Sequence, residues 1–570
     1  MIIDTNPKAL NDLGDQYFYG NGYEKNIEIA YSLYKQAADQ QNPVGYYNVG
    51  KYYIEKKDGK SAILNLQKSF SLGYSRAALK LADIALNGVG IRKSKTKAFK
   101  YVLEAVKQND TEAYNQVAYY YIKGIGTKKD EKKSLEYYLR SANQNNSEGM
   151  YQLGLLYLQK AKNTKSMENA LHWLDKAATK EHVEAIKTLK NVYTNGHSFF
   201  QKKSRSYLQE MAFYYEELLA KTNDILSLEN VAFIYYYGNS ITKKNSSKAV
   251  EYFQKLASIG LVSGFYGLGL CYLYNFGVDE NTKIAQEYFE KAKLHNCVNA
   301  ITKLGDIERS KASHTNNYEK AKDYYMDAAK LNDSEALMNL GLLHYRKQIQ
   351  NASNKFAFQY MDQASIKGNN GAYYWLGIFY DKGIGVTRNT QLADKAFQKA
   401  IQYGNTGAKF SYALFLFNDV NALTNQKRKD FLMAKKAIKL FIDYSEDSDT
   451  TKQNQLQSME YVALAFEKGI GVKLSLRASR YWTERAAEGG LSSSMVKMFH
   501  LLKDKEPNQA LIWLQKAVKN NDNPEAFYEI GNCYLTGFDT LPKDLIKAKE
   551  NYELSANFQY PKALEKLVMM

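Results

Sequence analysis

Apolar and small residues recur along this chain at two nested periods. Within short stretches they fall at i, i+3, i+4 and i+7, the spacing of one helix face. Over longer distances one template returns at intervals of roughly 36 residues. The stretches GAYYWLGIFYDKGIGV around Gly377, SGFYGLGLCYLYNFGV around Gly269, EAYNQVAYYYIKGIGT around Ala118 and MEYVALAFEKGIGV around Ala463 share it. Each has a small residue, Leu or Val four positions on, then Gly or Ala, an aromatic three later, and a glycine turn. The central residue falls at Gly14, Gly50, Ala82, Ala118, Gly154, Ala232, Gly269, Gly305, Gly341, Gly377, Ala413, Ala463 and Gly531. The same phase predicts degenerate units near Lys190 and Lys497, giving about 15 units and a remnant after Pro561.

A second amphipathic element follows each turn, as in EIAYSLYKQAADQQN, ALHWLDKAATKEH and LADKAFQKAIQYGN. Each unit therefore reads as helix A, a Gly-x-Gly turn, helix B and a short Asn- or Gly-rich return. The predicted fold is all-α, an α/α superhelical solenoid of helix–turn–helix repeats in which each unit packs on its neighbours. Mid-helix glycine costs about 1 kcal/mol against alanine, so its recurrence implies close approach by another helix, here expected to be helix B of a neighbouring unit. The pairs Ala37–Ala38, Ala177–Ala178, Ala328–Ala329 and Ala486–Ala487 would serve close approach from the other side. Turn glycines such as Gly88 and Gly90, Gly124 and Gly126, Gly383 and Gly385, or Gly469 and Gly471 fit a left-handed helix cap. The Ile or Val between them would plug the apolar layer. The aromatics at Tyr17, Tyr53, Tyr121, Tyr157, Tyr235, Tyr272, Tyr380 and Tyr534 are expected in the core.

This pattern closely resembles the Sel-one-like repeat family, a relative of the tetratricopeptide repeats. The best match runs from Ala372 to Gly404 and contains Leu376, Gly377, Tyr380, Gly383, Gly385, Val386, Ala393, Phe397, Lys399 and Ala400. A second lies between Gly469 and Gly489, with Gly471, Val472, Ala478, Trp482, Ala486 and Ala487. The resemblance extends over nearly the whole chain and implies a scaffold or adaptor, in a bacterium, that assembles other proteins. Some cysteine-rich secreted relatives are associated with β-lactam binding or hydrolysis. The cysteines that mark them are missing here.

Departures from the repeat suggest an organisation. One glycine is lost at the Gly277 turn and both in KKDGK after Ile54, and the spacing is stretched near His197–Gln209 and Asn421–Ser458. The second stretch contains the aperiodic SEDSDTTKQNQLQ, expected to be an exposed loop or a break. The expected division is thus a repeat array over 1–420, a stretched unit over 421–458 and further repeats over 459–570.

Composition adds little to this. Of 570 residues 45% are hydrophobic, which excludes a disordered chain, and only 6 are proline, which suits helices. The formal net charge of +17 is a modest density over this length. It is compatible with an acidic partner, nucleic acid or anionic lipid and selects none of them. Cys271, Cys297 and Cys533 form no disulfide framework and no CxxC zinc pair, which suits a reducing compartment. Cys271 and Cys533 share one repeat position and read as packing residues. The first residues form no secretory signal and no apolar stretch reaches 18 residues, so a cytoplasmic protein is expected, with signal-less export to a host left open.

The sequence offers no catalytic constellation, cofactor motif or metal site. His172, His182, His197, His295, His314, His344 and His500 include no HExxH and no close His/Cys group. His344 and His500 occupy the repeat position of the core tyrosines and are expected to pack like them. The Gly-x-Gly turns follow helices rather than strands and so form no dinucleotide fingerprint. The expected function is non-catalytic protein–protein interaction, with a protein or peptide partner, acidic in character, lying along the concave face lined by the A helices. Positions three before and one after the central residue leave the core face of helix A. They hold Tyr47, Lys51, Tyr151, Tyr266, Tyr374 and Tyr528, the candidate partner-binding residues, whose alternative role is packing between A helices. The competing functions are a secreted effector engaging host proteins or anionic membranes, and an RNA-binding helical repeat, which the lack of a repeated base-reading pair disfavours.

Overall fold

A computed structural model describes the chain except residues 1–5, 161–163, 197, 201–202, 316, 422–427 and 448–449, and except the side chains of 198, 419–421 and 428–430. Its described residues form thirty-one α-helices, numbered α1 to α31 in chain order, one 3₁₀ turn, and no β-structure beyond a single bridge between Phe538 and Leu541. The helices make a solenoid of helical repeats. Odd-numbered helices are the A elements, even-numbered ones the B elements, and α31 (Pro561–Met569) is the predicted remnant. They belong to two compact units, Met1–Asn281 and Thr282–Met570.

Within each unit the core is a run of clusters between A and B helices. One such cluster holds Ala118, Tyr138, Leu153, Leu174 and Leu189, all buried. Cys271 and Cys533 are buried in their A helices as packing residues, and burial pushes both thiols up to about 12. Tyr121 and Tyr235 are buried; Tyr17, Tyr53, Tyr157, Tyr380 and Tyr534 are half-buried against the clusters.

The central glycine meets a different neighbour from the one its pattern suggested. In α21 (Asn370–Lys382) a Cβ on Gly377 would stand 2.7 Å from the Phe397 ring of α22 (Thr390–Gln402), helix B of the same hairpin. Likewise a Cβ on Gly14 would stand 2.5 Å from Tyr34, and one on Gly305 2.6 Å from Tyr325. The buried tyrosine hydroxyl then needs an acceptor, and the next residue of helix A supplies it. Tyr34 donates to Asp15, Tyr325 to Asp306 and Tyr552 to Asn532, each at 2.7 Å. Helix B of the preceding unit instead approaches helix A five residues earlier. A Cβ on Gly45 would lie 2.5 Å from the Ala38 nitrogen, and one on Gly264 would overlap the backbone of Ala257. The Ala-Ala pairs and their equivalents serve this contact.

The turn between A and B is closed in one recurrent way. Gly383, at φ 69°, caps α21, and the backbone N–H of Asn389, nine residues beyond the core aromatic, donates to the Tyr380 carbonyl at 2.9 Å. Asn26 and Tyr17 make the same bond at 2.8 Å, and Asp130 and Tyr121 at 3.0 Å. Gly385, also at φ 69°, presses the turn onto the Asn354 carbonyl at the start of α20 (Asn354–Ile366), helix B of the unit before. Ile384 between the glycines packs into the apolar layer as expected.

Extra residues in the stretched units lengthen helices. Around the first, α12 runs Arg205–Lys221; His197 lies outside the described residues. Around the second, α23 (Gly407–Asn421), α24 (Arg428–Ser445) and α25 (Lys452–Lys468) bury Phe417, Ala437, Phe441 and Val462 in one cluster. The polar run expected as a loop is helical from Lys452, and Gln455 Nε2 donates to the Asp447 carbonyl at 2.6 Å. The stretch 421–458 lies inside the second compact unit.

Gly385 and Gly404 separate backbone strain from packing. At Gly404, φ is +84° and an added methyl meets nothing within 4 Å, so Gly404→Ala should cost about 1 kcal/mol. Gly385→Ala adds a collision with the neighbouring unit and should cost about 3 kcal/mol or more. Urea unfolding followed by circular dichroism distinguishes them. Equal losses would mean that the second turn glycine does not hold adjacent units together.

Candidate partner-binding surface

The position three before the central residue links consecutive A helices. In α1 (Pro7–Tyr19) Asn11 donates to Asn42, the N-cap of α3 (Pro43–Glu55), at 3.2 Å. In α7 (Thr111–Lys123) Asn115 donates to Asn146, the N-cap of α9 (Ser147–Gln159), at 2.9 Å. In α17 (Val298–Thr315) Thr302 donates to Asp333, the N-cap of α19 (Ser334–Tyr345). Each acceptor also takes a first-turn N–H of its own helix. One side chain therefore satisfies a helix end and fastens the previous unit to it.

Four of the predicted tyrosines occupy this same link as rings. Tyr47 packs edge-on against Tyr74, beside the N-cap of α5 (Arg76–Asn87), at 5.1 Å between centroids, and burial pushes its hydroxyl up to about 12. Tyr151 stacks at 4.7 Å on His182, the N-cap of α11 (Val183–Asn195). Tyr528 lies 5.4 Å from Tyr560, the N-cap of α31. Tyr374 reaches the next A helix through Ser411, at 3.2 Å between hydroxyl oxygens. All four are half-buried, as is Tyr266 on α15 (Val262–Leu273). Lys51 is mostly covered. Its ammonium lies 3.2 Å from Asp15 and 5.0–5.9 Å from the ring centres of Phe18, Tyr19, Tyr34 and Tyr47. Tyr47, Lys51, Tyr151, Tyr374 and Tyr528 thus lie at junctions between A helices rather than in one cluster.

A groove of about 630 Å³ crosses α5, α7 and α9 in the first unit. Its sides are columns of residues one period apart: Arg76, Glu112 and Glu148; Gln116 and Gln152; Asp83 and Tyr119. Asp110 caps α7 through bonds of 2.9 and 3.0 Å to the N–H groups of Glu112 and Ala113, and also accepts from Ser75. Glu148 accepts from Gln152 at 2.8 Å and lies 3.0 Å from His182 Nε2. His182 Nδ1 accepts the Ala185 N–H at 3.2 Å, so Nε2 carries the proton towards Glu148. The buried Asn115 Oδ1 has no hydrogen-bond partner among the described residues. Arg76 thus shares the groove with the carboxylates of Asp83, Asp110, Glu112 and Glu148; of these, Glu112 and Asp110 act on it most directly, while Asp83 also pairs with Lys80 at 3.6 Å. Each residue alone resembles ordinary helix surface; superposing units on their central residues is the signal that reveals the columns.

His344 behaves as predicted and His500 does not. His344 is half-buried and stacks on Tyr360 at 5.6 Å. Its Nδ1 accepts the Ser353 N–H at 3.3 Å, taking the part that the core residue's carbonyl plays in other turns. His500 is exposed, because Phe499 beside it fills the core of this degenerate unit.

Tandem helical hairpins locked by these contacts define the chain as a helical-repeat protein. Eleven segments match the Sel1 repeat: 7–42, 75–110, 111–146, 147–182, 225–261, 266–297, 334–369, 371–403, 456–491, 501–522 and 524–557. They span more than half of the chain, which belongs to the Sel1 repeat family. Units outside these segments, such as α23 with α24, are hairpins as well. No curated protein sequence matches the chain. Among solved structures it is similar to a protective antigen of uropathogenic Escherichia coli strains with an SLR fold, at 19% identity and a TM-score of 0.44 over 89% of this chain and 97% of that one. A Sel1 repeat protein from Oxalobacter formigenes matches at 27% identity and a TM-score of 0.30, over 36% of this chain and 85% of that one. An immunity protein from Pseudomonas aeruginosa matches at 16% and 0.27, over 39% and 84%. Sel1 repeat proteins generally mediate protein–protein interaction and are generally non-catalytic. Among the described residues no helix is long and apolar enough to cross a membrane.

Burial, followed by the charges of Lys322 and Lys347, holds the His344 imidazolium form below the usual histidine range. The unfolded chain therefore takes up this proton first. Stability should be unaffected well above about pH 6.5 and fall as pH drops below it. In His344→Gln, which keeps an acceptor and cannot be protonated, the fall in melting temperature between about pH 8 and about pH 5.5 should be smaller than in wild type. An identical fall in both proteins would remove His344 as its source.

Proposed function

We propose that this chain is a non-catalytic scaffold that holds an extended segment of a partner protein along the surface of successive A helices. The observation that carries this reading is the periodic groove over α5, α7 and α9, where residues such as Arg76, Glu112 and Glu148 recur one unit apart. Packed helices stand about 8–10 Å apart and an extended chain advances about 3.3 Å per residue. A straight segment therefore meets a fresh set of equivalent side chains about every three residues. Affinity accumulates over units, with the half-exposed ring of Tyr119 as an anchor. Tyr47, Lys51, Tyr151, Tyr266, Tyr374 and Tyr528 contribute what their partial burial leaves uncovered.

The groove's charge favours a partner segment bearing Lys or Arg. Four carboxylates line the groove against one guanidinium, and even with Lys80 paired to Asp83 the lining is net acidic for a segment seated there. An acidic segment or an anionic membrane gains nothing from this groove.

Photo-crosslinking in the cells that make the protein tests the reading. A benzophenone amino acid at Tyr119, 46% exposed in the groove, should give a light-dependent adduct to a partner protein. At Leu64, 69% exposed on α4 (Gly59–Ser71), it should give none. Asp83→Lys with Glu112→Lys should abolish the Tyr119 adduct while helix content is retained. Equal adducts from both positions, or an adduct indifferent to charge reversal, would sink the proposal.

A further inference from the structure

The hairpin α27 (Ser492–Leu502) and α28 (Pro507–Asn520) is one of the degenerate units. Lys497 replaces the central glycine and pairs with Glu467, and no Gly-x-Gly turn follows. Its exposed His500 faces α29 (Pro524–Thr536), which presents Glu525 and Glu529 one turn apart. His500 Nε2 lies 4.0 Å from a Glu525 oxygen and 3.8 Å from a Glu529 oxygen. One donor atom from each of the three falls within 4.8 Å of the others, the only such His/Cys/Asp/Glu group among the described residues.

These separations are too long for hydrogen bonds. They are close to the spacing of ligands around a shared ion: atoms bound tetrahedrally at about 2.0–2.1 Å from zinc stand about 3.3–3.4 Å apart. Two carboxylates four residues apart on one helix repel each other. Among the described residues no Lys or Arg forms an ion pair with either; both face His500. The helix N-terminus accounts for an acid at Glu525, in the first turn, but not for Glu529. Glu529, only 17% exposed, is held as metal-binding carboxylates are. Asn532 donates to its other oxygen at 3.3 Å, and Tyr552 fixes Asn532 by a 2.7 Å bond.

We propose that His500, Glu525 and Glu529 bind a divalent transition-metal ion, zinc by the chemistry of the donor set. One neutral imidazole and two carboxylates balance the ion's charge and leave a position for water. The ion would join α27 to α29 across the junction between two units, so binding would stabilise this pair of units.

The test uses the full-length, tag-free protein stripped with chelator. Titration with Zn²⁺ by calorimetry, and with Co²⁺ by visible absorption, should reveal a saturable site that His500→Ala and Glu529→Gln each remove. Glu506→Gln, whose carboxylate pairs with Arg480 nearby, should leave it intact. Asn532→Ala should weaken it about tenfold. Zn²⁺ should raise the melting temperature of wild type and not that of His500→Ala. Circular dichroism of each variant confirms that the helices remain. Absence of saturable binding, or binding and stabilisation unchanged in both His500→Ala and Glu529→Gln, would overturn the proposal.

Discussion

Every level of this array depends on how closely the backbone of one helix can lie on the next. Helix B carries a small residue where the following helix A crosses it, and that helix answers with another. At Gly45 the two backbones are so close that one added methyl would stand 2.5 Å from a peptide nitrogen. Contact of this kind sets the distance between units. It brings the position three before the central residue within reach of the next N-cap, and it sets the rise between the columns that line the groove. The large residue of helix B faces the opposite way, into the space left by the central glycine of its own hairpin. Helix B is thus wedged between two A helices by a small residue on one side and a large one on the other, a ring at Tyr34, Tyr325 and Phe397 and an aliphatic chain at Leu66 and Leu174.

This arrangement also explains which units tolerate irregularity. In a solenoid, stability is a sum of unit and nearest-neighbour contributions, so a defect stays where it arises. The residues added to α24 and α25 extend the helices, and Phe441 and Val462 still occupy the core. In the α27 hairpin the lost glycine leaves room for a different device. Lys497 reaches Glu467 in the A helix before it, and His500 is freed to face the A helix after it. Charged side chains between A helices are thus added to a packed core at that point.

Much of this was legible in the sequence, because close packing admits few residue types. Small residues at fixed spacing revealed the repeat, its period and its core aromatics, and the glycine pairs located the turns. The partner of the central glycine was misassigned. Periodicity says that a helix must pass there without saying which one, and the rings of Tyr34, Tyr325 and Phe397 that fill the space lie in the same hairpin. The polar run after Ser445 was read as a loop because it lacks an apolar stripe. Its helix is held instead by contacts from Leu456 onward and by the Gln455 bond. The links at Asn11, Asn115 and Thr302 escaped notice because their partners are N-caps about thirty residues away. The His500 group depends on a unit whose central residue is a lysine, and the repeat pattern says least there.

If the chain holds a partner as proposed, the tyrosines at the junctions have a consequence that neither a core nor a purely exposed residue would have. Tyr151 rests on His182, which caps α11 and holds Glu148, which in turn lines the groove. A ligand seated against Glu148 therefore bears on a contact that also joins two units. In a nearest-neighbour array, a segment that spans several units rewards only the conformation in which all of them are stacked. Its binding free energy then adds to the interface free energies between them. On the proposed function, recognition and the rigidity of the surface would be coupled through the same side chains. A short segment touching one unit gains little from this coupling, whereas a long one gains at each junction it crosses.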